Sequence, residues 1–187
     1  MRIIKLILLF FTVSVTACKE AGTTDADTTL DDTVTIDNER ETLSAREREF
    51  VDDVIEDNND EIAWLNAAIK SGTDAELKTH AQQMLTDHQK MNDDMKAFAA
   101  THGVEIEEVD TTTIILDINE DDPADWDEEW SDEMADKHRR LIRRFERAEN
   151  YIDDAELKAL VTGALPTLRS HLDMATKQEE RLDKKDR

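Results

Sequence analysis

Residues 77–99 read LKTHAQQMLTDHQKMNDDMKAFA, and Leu77, Ala81, Met84, His88, Met91, Met95 and Phe98 recur three or four apart. That is the period of one helical face. The stretch therefore predicts a helix with an apolar stripe and a single histidine where a core residue belongs. Thr73 and Asp74 stand ready as N-caps with Glu76 close behind, and His102-Gly103 offers a C-cap.

Three more stretches share this pattern. The first helix is expected from Leu43 or Ser44 to Lys70, opened by a Ser44–Glu47 capping box, with Phe50, Val54, Asn58, Glu61, Leu65 and Ala68 on its stripe. The third is expected from Pro123 to Tyr151, with Trp130, Met134, His138, Leu141, Phe145 and Ala148. The fourth is expected from Asp154 to Leu182, with Leu157, Val161, Ala164, Leu168, His171 and Ala175, and with Pro166 placed to kink it.

The two halves also repeat one another. Glu49-Phe50 matches Glu129-Trp130, Asp74 to Lys78 matches Asp154 to Lys158, and Leu85 matches Leu165, all at an offset of 80. His88 and Met91 correspond to His171 and Met174 at 83, as though the second copy slips near Pro166. The halves are joined by residues 104–122. Helices of this length span about 40 Å, and some twenty extended residues reach about 65 Å. The joint can therefore run the length of a bundle and leave the second and third helices parallel. The expectation is all-α: a ferritin-like four-helix bundle of two hairpins with one long crossover. The β-branched stretch Thr111 to Ile118 leaves room for a short strand.

Each helix puts one polar group on its stripe near its middle: Glu61, His88, His138 and His171. Leaving such groups buried and unpaired costs several kcal/mol each. Two readings meet that demand. One is a site for a single transition-metal ion (zinc, copper, iron or manganese) held by Glu61, His88, His138 and His171. The other is a hydrogen-bonded layer that fixes helix register. Asp87 points about 100° away from His88 on the helix and is a poor ligand candidate. Met84 and Met134, one turn before His88 and His138, read as core filler, with thioethers favouring copper(I) as the alternative. His80 and His102 read as solvated. A di-iron site is disfavoured, because the bridging carboxylates of the Glu-x-x-His pattern are missing: Leu85, Ala135 and Leu168 stand three before the histidines.

The N-terminus carries an address. Arg2 and Lys5 frame an apolar run through Phe11 that ends in Val15-Thr16-Ala17-Cys18. This resembles a bacterial lipoprotein signal over 1–17, which implies lipidation of Cys18, the chain's one cysteine. The membrane would then be a partner through that anchor, and Lys19 points to an outer membrane. Residues 18–43 are acidic and short of large apolar side chains, so they read as a disordered tether leading to a bundle over 44–184. The net charge is −23, or −25 once Arg2 and Lys5 are removed with the signal. That excludes charge-driven binding of nucleic acid and leaves protein partners open.

These motifs resemble a bacterial ferritin-like family of unknown function whose members are mostly exported or lipid-anchored. The matching pieces are Glu61, Met84-Leu85-Thr86-Asp87-His88, His102-Gly103-Val104, Trp126-Asp127, Trp130, Met134, His138, and Leu165-Pro166-Thr167-Leu168 with His171. The loop departs from the family: 104–122 lacks the usual proline after the glycine and is more acidic. The resemblance implies the fold and no established activity. Three functions remain in view. They are a metal-binding envelope lipoprotein, a redox enzyme of ferritin-like descent, and a metal-free interaction module, the last favoured by any exposed apolar patch around Trp64 or Trp126. No nucleophile–base pair, phosphate loop or nucleotide motif is present, so hydrolase and kinase readings are weak.

Overall fold

The capping box forms. Ser44 Oγ accepts the Glu47 N–H at 3.2 Å and Glu47 Oε2 accepts the Ser44 N–H at 2.8 Å, which starts helix α1, Ala45–Ser71. The computed structural model describes residues 42–113, 118 and 123–185. Helix α2 is Ala75–Thr101, capped by Asp74, which accepts the N–H groups of Glu76 and Leu77. It ends at His102, and Gly103 takes φ 63°, a left-handed value suited to glycine. Helix α3 is Pro123–Ala148 and α4 is Ala155–Lys185. The proposed signal 1–17 and the tether up to residue 41 lie outside the described residues.

Three expectations need adjusting. Helix α3 stops at Ala148 instead of Tyr151, because the Tyr151 and Ile152 N–H groups both turn back to the Ala148 carbonyl. The joint holds a 3-10 turn at Thr111–Thr113, where the expected strand would begin; residues 114–117 of that stretch lie outside the described residues, which contain no strand. Leu43 belongs to the core and not to the tether. Pro166 lies within α4 without ending it.

The described residues form an all-helical unit consistent with a four-helix bundle. All four helices contribute to two apolar clusters. One gathers Phe50, Val54, Phe98, Phe145, Leu157 and Leu168. The other gathers Leu65, Leu77, Met84, Trp130, Met134 and Ala175. Between them in sequence, on every helix, lie the buried polar residues Asn58, Asn59, Glu61, His88, Asn92, His138 and His171.

The helix ends are tied by two carboxylates. Glu47 Oε1 accepts the Asp153 and Asp154 N–H groups at 2.9 and 3.0 Å. Asp127 accepts the Thr73 N–H at 2.9 Å, the Thr73 hydroxyl at 2.6 Å and the Asp74 N–H at 2.8 Å. Gly72 makes the second clamp possible: a Cβ there would lie 2.7 Å from the Ala68 carbonyl oxygen and 3.3 Å from Asp127 Oδ1. Trp64 and Trp126 are both buried, so among the described residues neither supplies an exposed apolar patch. Among the described residues, no helix is long and apolar enough to cross a membrane.

Candidate metal centre

His88 on α2, His138 on α3 and His171 on α4 are fully buried and meet in a near-equilateral triangle. Their ring centroids are 5.4, 5.2 and 5.3 Å apart. Helical period explains the meeting. Each histidine occupies a stripe position near the middle of its helix, so packing the stripes together brings the rings to one level.

The hydrogen bonds fix which nitrogen of each ring faces the centre. His88 Nδ1 lies 2.8 Å from Asn58 Oδ1. His138 Nδ1 lies 3.0 Å from the Met134 carbonyl oxygen. His171 Nε2 lies 3.0 Å from Asp87 Oδ2. All three partners are acceptors, so these nitrogens carry the protons. The lone pairs then sit on His88 Nε2, His138 Nε2 and His171 Nδ1, an assignment made from the network. One nitrogen from each ring lies within 4.8 Å of the other two. His88 Nε2 and His138 Nε2 are 3.3 Å apart. Two nitrogens bound at about 2.0–2.1 Å to one tetrahedral ion are themselves about 3.3 Å apart. His171 Nδ1 is buried with no hydrogen-bond partner. The three histidines thus form a group that could hold a metal ion, with the opposite ring nitrogens oriented as ligating histidines require.

Burial keeps the His88 and His171 rings neutral and ready to ligate. It is the main force lowering His88 to about 3, with the neighbouring His138 adding to it and Asp87 opposing it. Burial likewise lowers His171, to about 4, against the pull of its bond to Asp87.

Glu61 arrives at this level but on the other side of the rings. Its oxygens lie 3.3 Å from His88 Nδ1 and 3.4 Å from His138 Nδ1, the protonated nitrogens, and neither oxygen has a hydrogen-bond partner. It is not part of the converging group. It also floors a groove of about 300 Å³ between α1 and α3, which is rimmed by Arg140, Arg144 and Asp57. Burial raises the Asp57 carboxyl, Arg144 lowers it and Glu61 raises it again.

Two site residues escape sequence reading. Asp87 is a poor ligand for the reason given, yet the same 100° offset turns it toward α4, where it holds His171. Asn58 lies on the α1 stripe, and its position in the core was the available signal. His102 is not solvated: it stacks on Phe98 at 4.0 Å with Nδ1 3.0 Å from the Phe98 carbonyl oxygen. His80 is half-buried. Met84 and Met134 are fully buried core residues.

No curated protein and no solved structure matches the chain. A family model described as a domain of unknown function, DUF4142, matches residues 33–177. That span covers the first apolar cluster, all of the second but Leu182, and the three converging histidines, and the chain belongs to the DUF4142 family.

Proposed function

We propose that this protein binds a single transition-metal ion through His88 Nε2, His138 Nε2 and His171 Nδ1. The observation that carries the reading is that one nitrogen of each of the three buried rings lies within 4.8 Å of the other two, with His88 Nε2 and His138 Nε2 3.3 Å apart. Lone pairs facing at that distance repel unless a cation or proton lies between them. An all-imidazole set, with Glu61 turned to the far side of the rings, favours zinc or copper over manganese. Copper would allow redox chemistry; zinc would not.

A second reading has its own support. If the Asn58 amide is turned over, its Nδ2, which has no partner as placed, donates to His88 Nδ1. His88 Nε2–H then donates to His138, and the layer is a proton-bonded register device. That arrangement still leaves His171 Nδ1 unpaired, an atom that a metal would take up, which is why the metal reading is preferred.

The setting is a proposal as well: a ferritin-like pair of hairpins, held in the cell envelope by lipid on Cys18, with an outer membrane favoured. Arg48 of α1 donates to the Gly103 carbonyl beyond α2, and Thr73 binds Asp127 near the start of α3. Val104 and Ile106 pack on the first apolar cluster and Ile118 on the second. These contacts support antiparallel hairpins with a crossover running from end to end.

Metal content tests the reading. The chain from Lys19, purified without chelator or histidine tag, should carry or take up one equivalent of zinc or copper. His88→Ala, His138→Ala and His171→Ala should each lose it while remaining helical by circular dichroism. A folded wild-type chain that takes up none of zinc, copper, iron or manganese overturns the reading and leaves the register layer.

A further inference from the structure

The outer face of α3 is written in two signs. Glu129, Asp132 and Asp136 are exposed along its first half, and Arg140, Arg143 and Arg147 are exposed along its second. At 100° per residue these six fall within one narrow stripe. The acidic three line one surface groove and the basic three line the next. The helix dipole favours acid at a first turn and base at a last turn, but its effect dies within a turn. It does not explain a reversal of sign in the middle of a helix.

We propose that this stripe is a docking surface for a second copy of the chain, with the two α3 helices antiparallel about a two-fold axis. The spacing is self-complementary. Asp136 and Arg140, Asp132 and Arg143, and Glu129 and Arg147 are each centred on position 137.5 or 138. Laid antiparallel with that centre shared, every carboxylate of one copy meets a guanidinium of the other, in an isologous contact. Within the described residues Arg143 and Arg147 have no carboxylate partner. Asp132 sits among like charges: burial raises its carboxyl, and Glu179, Asp183 and Asp136 raise it further. Both ends of the stripe therefore gain from opposite charge. Single exposed ion pairs contribute little, so the contact is weak, cooperative and dependent on salt. Two chains of net charge −23 repel at long range, but a Debye length of about 8 Å at 0.15 M salt screens this while leaving contact pairs in place.

Sedimentation of the chain from Lys19, which contains the whole described bundle, tests this at 0.15 M salt across micromolar to millimolar concentration. Wild type should show a concentration-dependent dimer that dissociates by 1 M salt. R143E/R147E leaves Arg140 as the one cation of an otherwise acidic stripe, and E129R/D132R leaves Asp136 as the one carboxylate of an otherwise basic stripe. Each variant alone should be monomeric, and their equimolar mixture should form a heterodimer at least about tenfold tighter than wild type. Circular dichroism of each variant should match wild type, as expected for exposed positions; further charge reversals, R140E and D136R, repeat the test if one variant fails to fold. A wild type that stays monomeric at every concentration overturns the proposal. So does a dimer that survives in both variants, or a mixture that stays monomeric.

Discussion

The ends and the middle of this molecule treat its two halves differently. At the ends the halves are interchangeable. Glu47 and Asp127 stand 80 residues apart, as do the turns they hold, Asp153-Asp154 and Thr73-Asp74. Each half lends a carboxylate from near the start of its leading helix to the turn of the other. In the middle the halves diverge. The same offset sets Asn58 against His138 and Glu61 against Leu141. The first half supplies His88 and the acceptors Asn58 and Asp87; the second supplies His138 and His171. Equal ends give equal support to a fold. In the unequal middle, Asp87 of the first half orients His171 of the second, while Asn58 and the Met134 carbonyl orient His88 and His138 within their own halves.

The largest effects should come from breaking the ends. Glu47→Ala and Asp127→Ala each strip acceptors from several N–H groups, and each should lower unfolding free energy by about 3 kcal/mol in urea titration. A loss confined to one of them would show that the clamps are not equivalent. Next come the orienting residues of the middle. Asn58→Leu and Asp87→Ala should weaken zinc affinity by about 10- to 100-fold, measured by competition with a chromophoric chelator, without changing stoichiometry. Equal affinity in both variants and wild type would detach the acceptors from the site.

Acid should separate the two regions. In the metal-free protein His88 and His171 fall to about 3 and about 4, below the ordinary 6.5. Between 6.5 and those values the unfolded chain binds protons that the folded chain does not, so stability falls as pH drops through that window. Glu47 behaves differently. Burial would raise its carboxyl, but hydrogen bonds from the Asp154 N–H, the Ser44 hydroxyl, and the Ser44 and Asp153 N–H groups outweigh this and hold it at about 2. Asp74 is held at about 2 as well, with burial opposed chiefly by its bond to Arg181. Their contributions are complete above ordinary carboxylate values and are lost as pH falls from about 4.5 toward 2. Denaturant melts at stepped pH should therefore show two declines, and His88→Leu combined with His171→Leu should remove only the upper one. The smallest effect is reserved for the methionines beside the histidines: Met84→Leu and Met134→Leu should each cost under about 1.5 kcal/mol and leave metal identity unchanged.

The sequence determined the helices, because local rules govern them. The 3.6-residue stripe, the Ser44–Glu47 box, the Asp74 cap and the His102-Gly103 stop are all written within a few residues of where they act. It also determined that three histidines and Glu61 would share one level, since mid-helix positions on packed stripes meet. Only the tertiary structure decided which ring nitrogens face one another, that Glu61 lies behind the rings, and that Asp87 serves a histidine on another helix. It alone showed the exchange of clamps between turns, and Trp64 and Trp126 tucked inward. Those outcomes depend on the rotation of each helix about its own axis and on partners more than 50 residues apart, which short-range periodicity does not record.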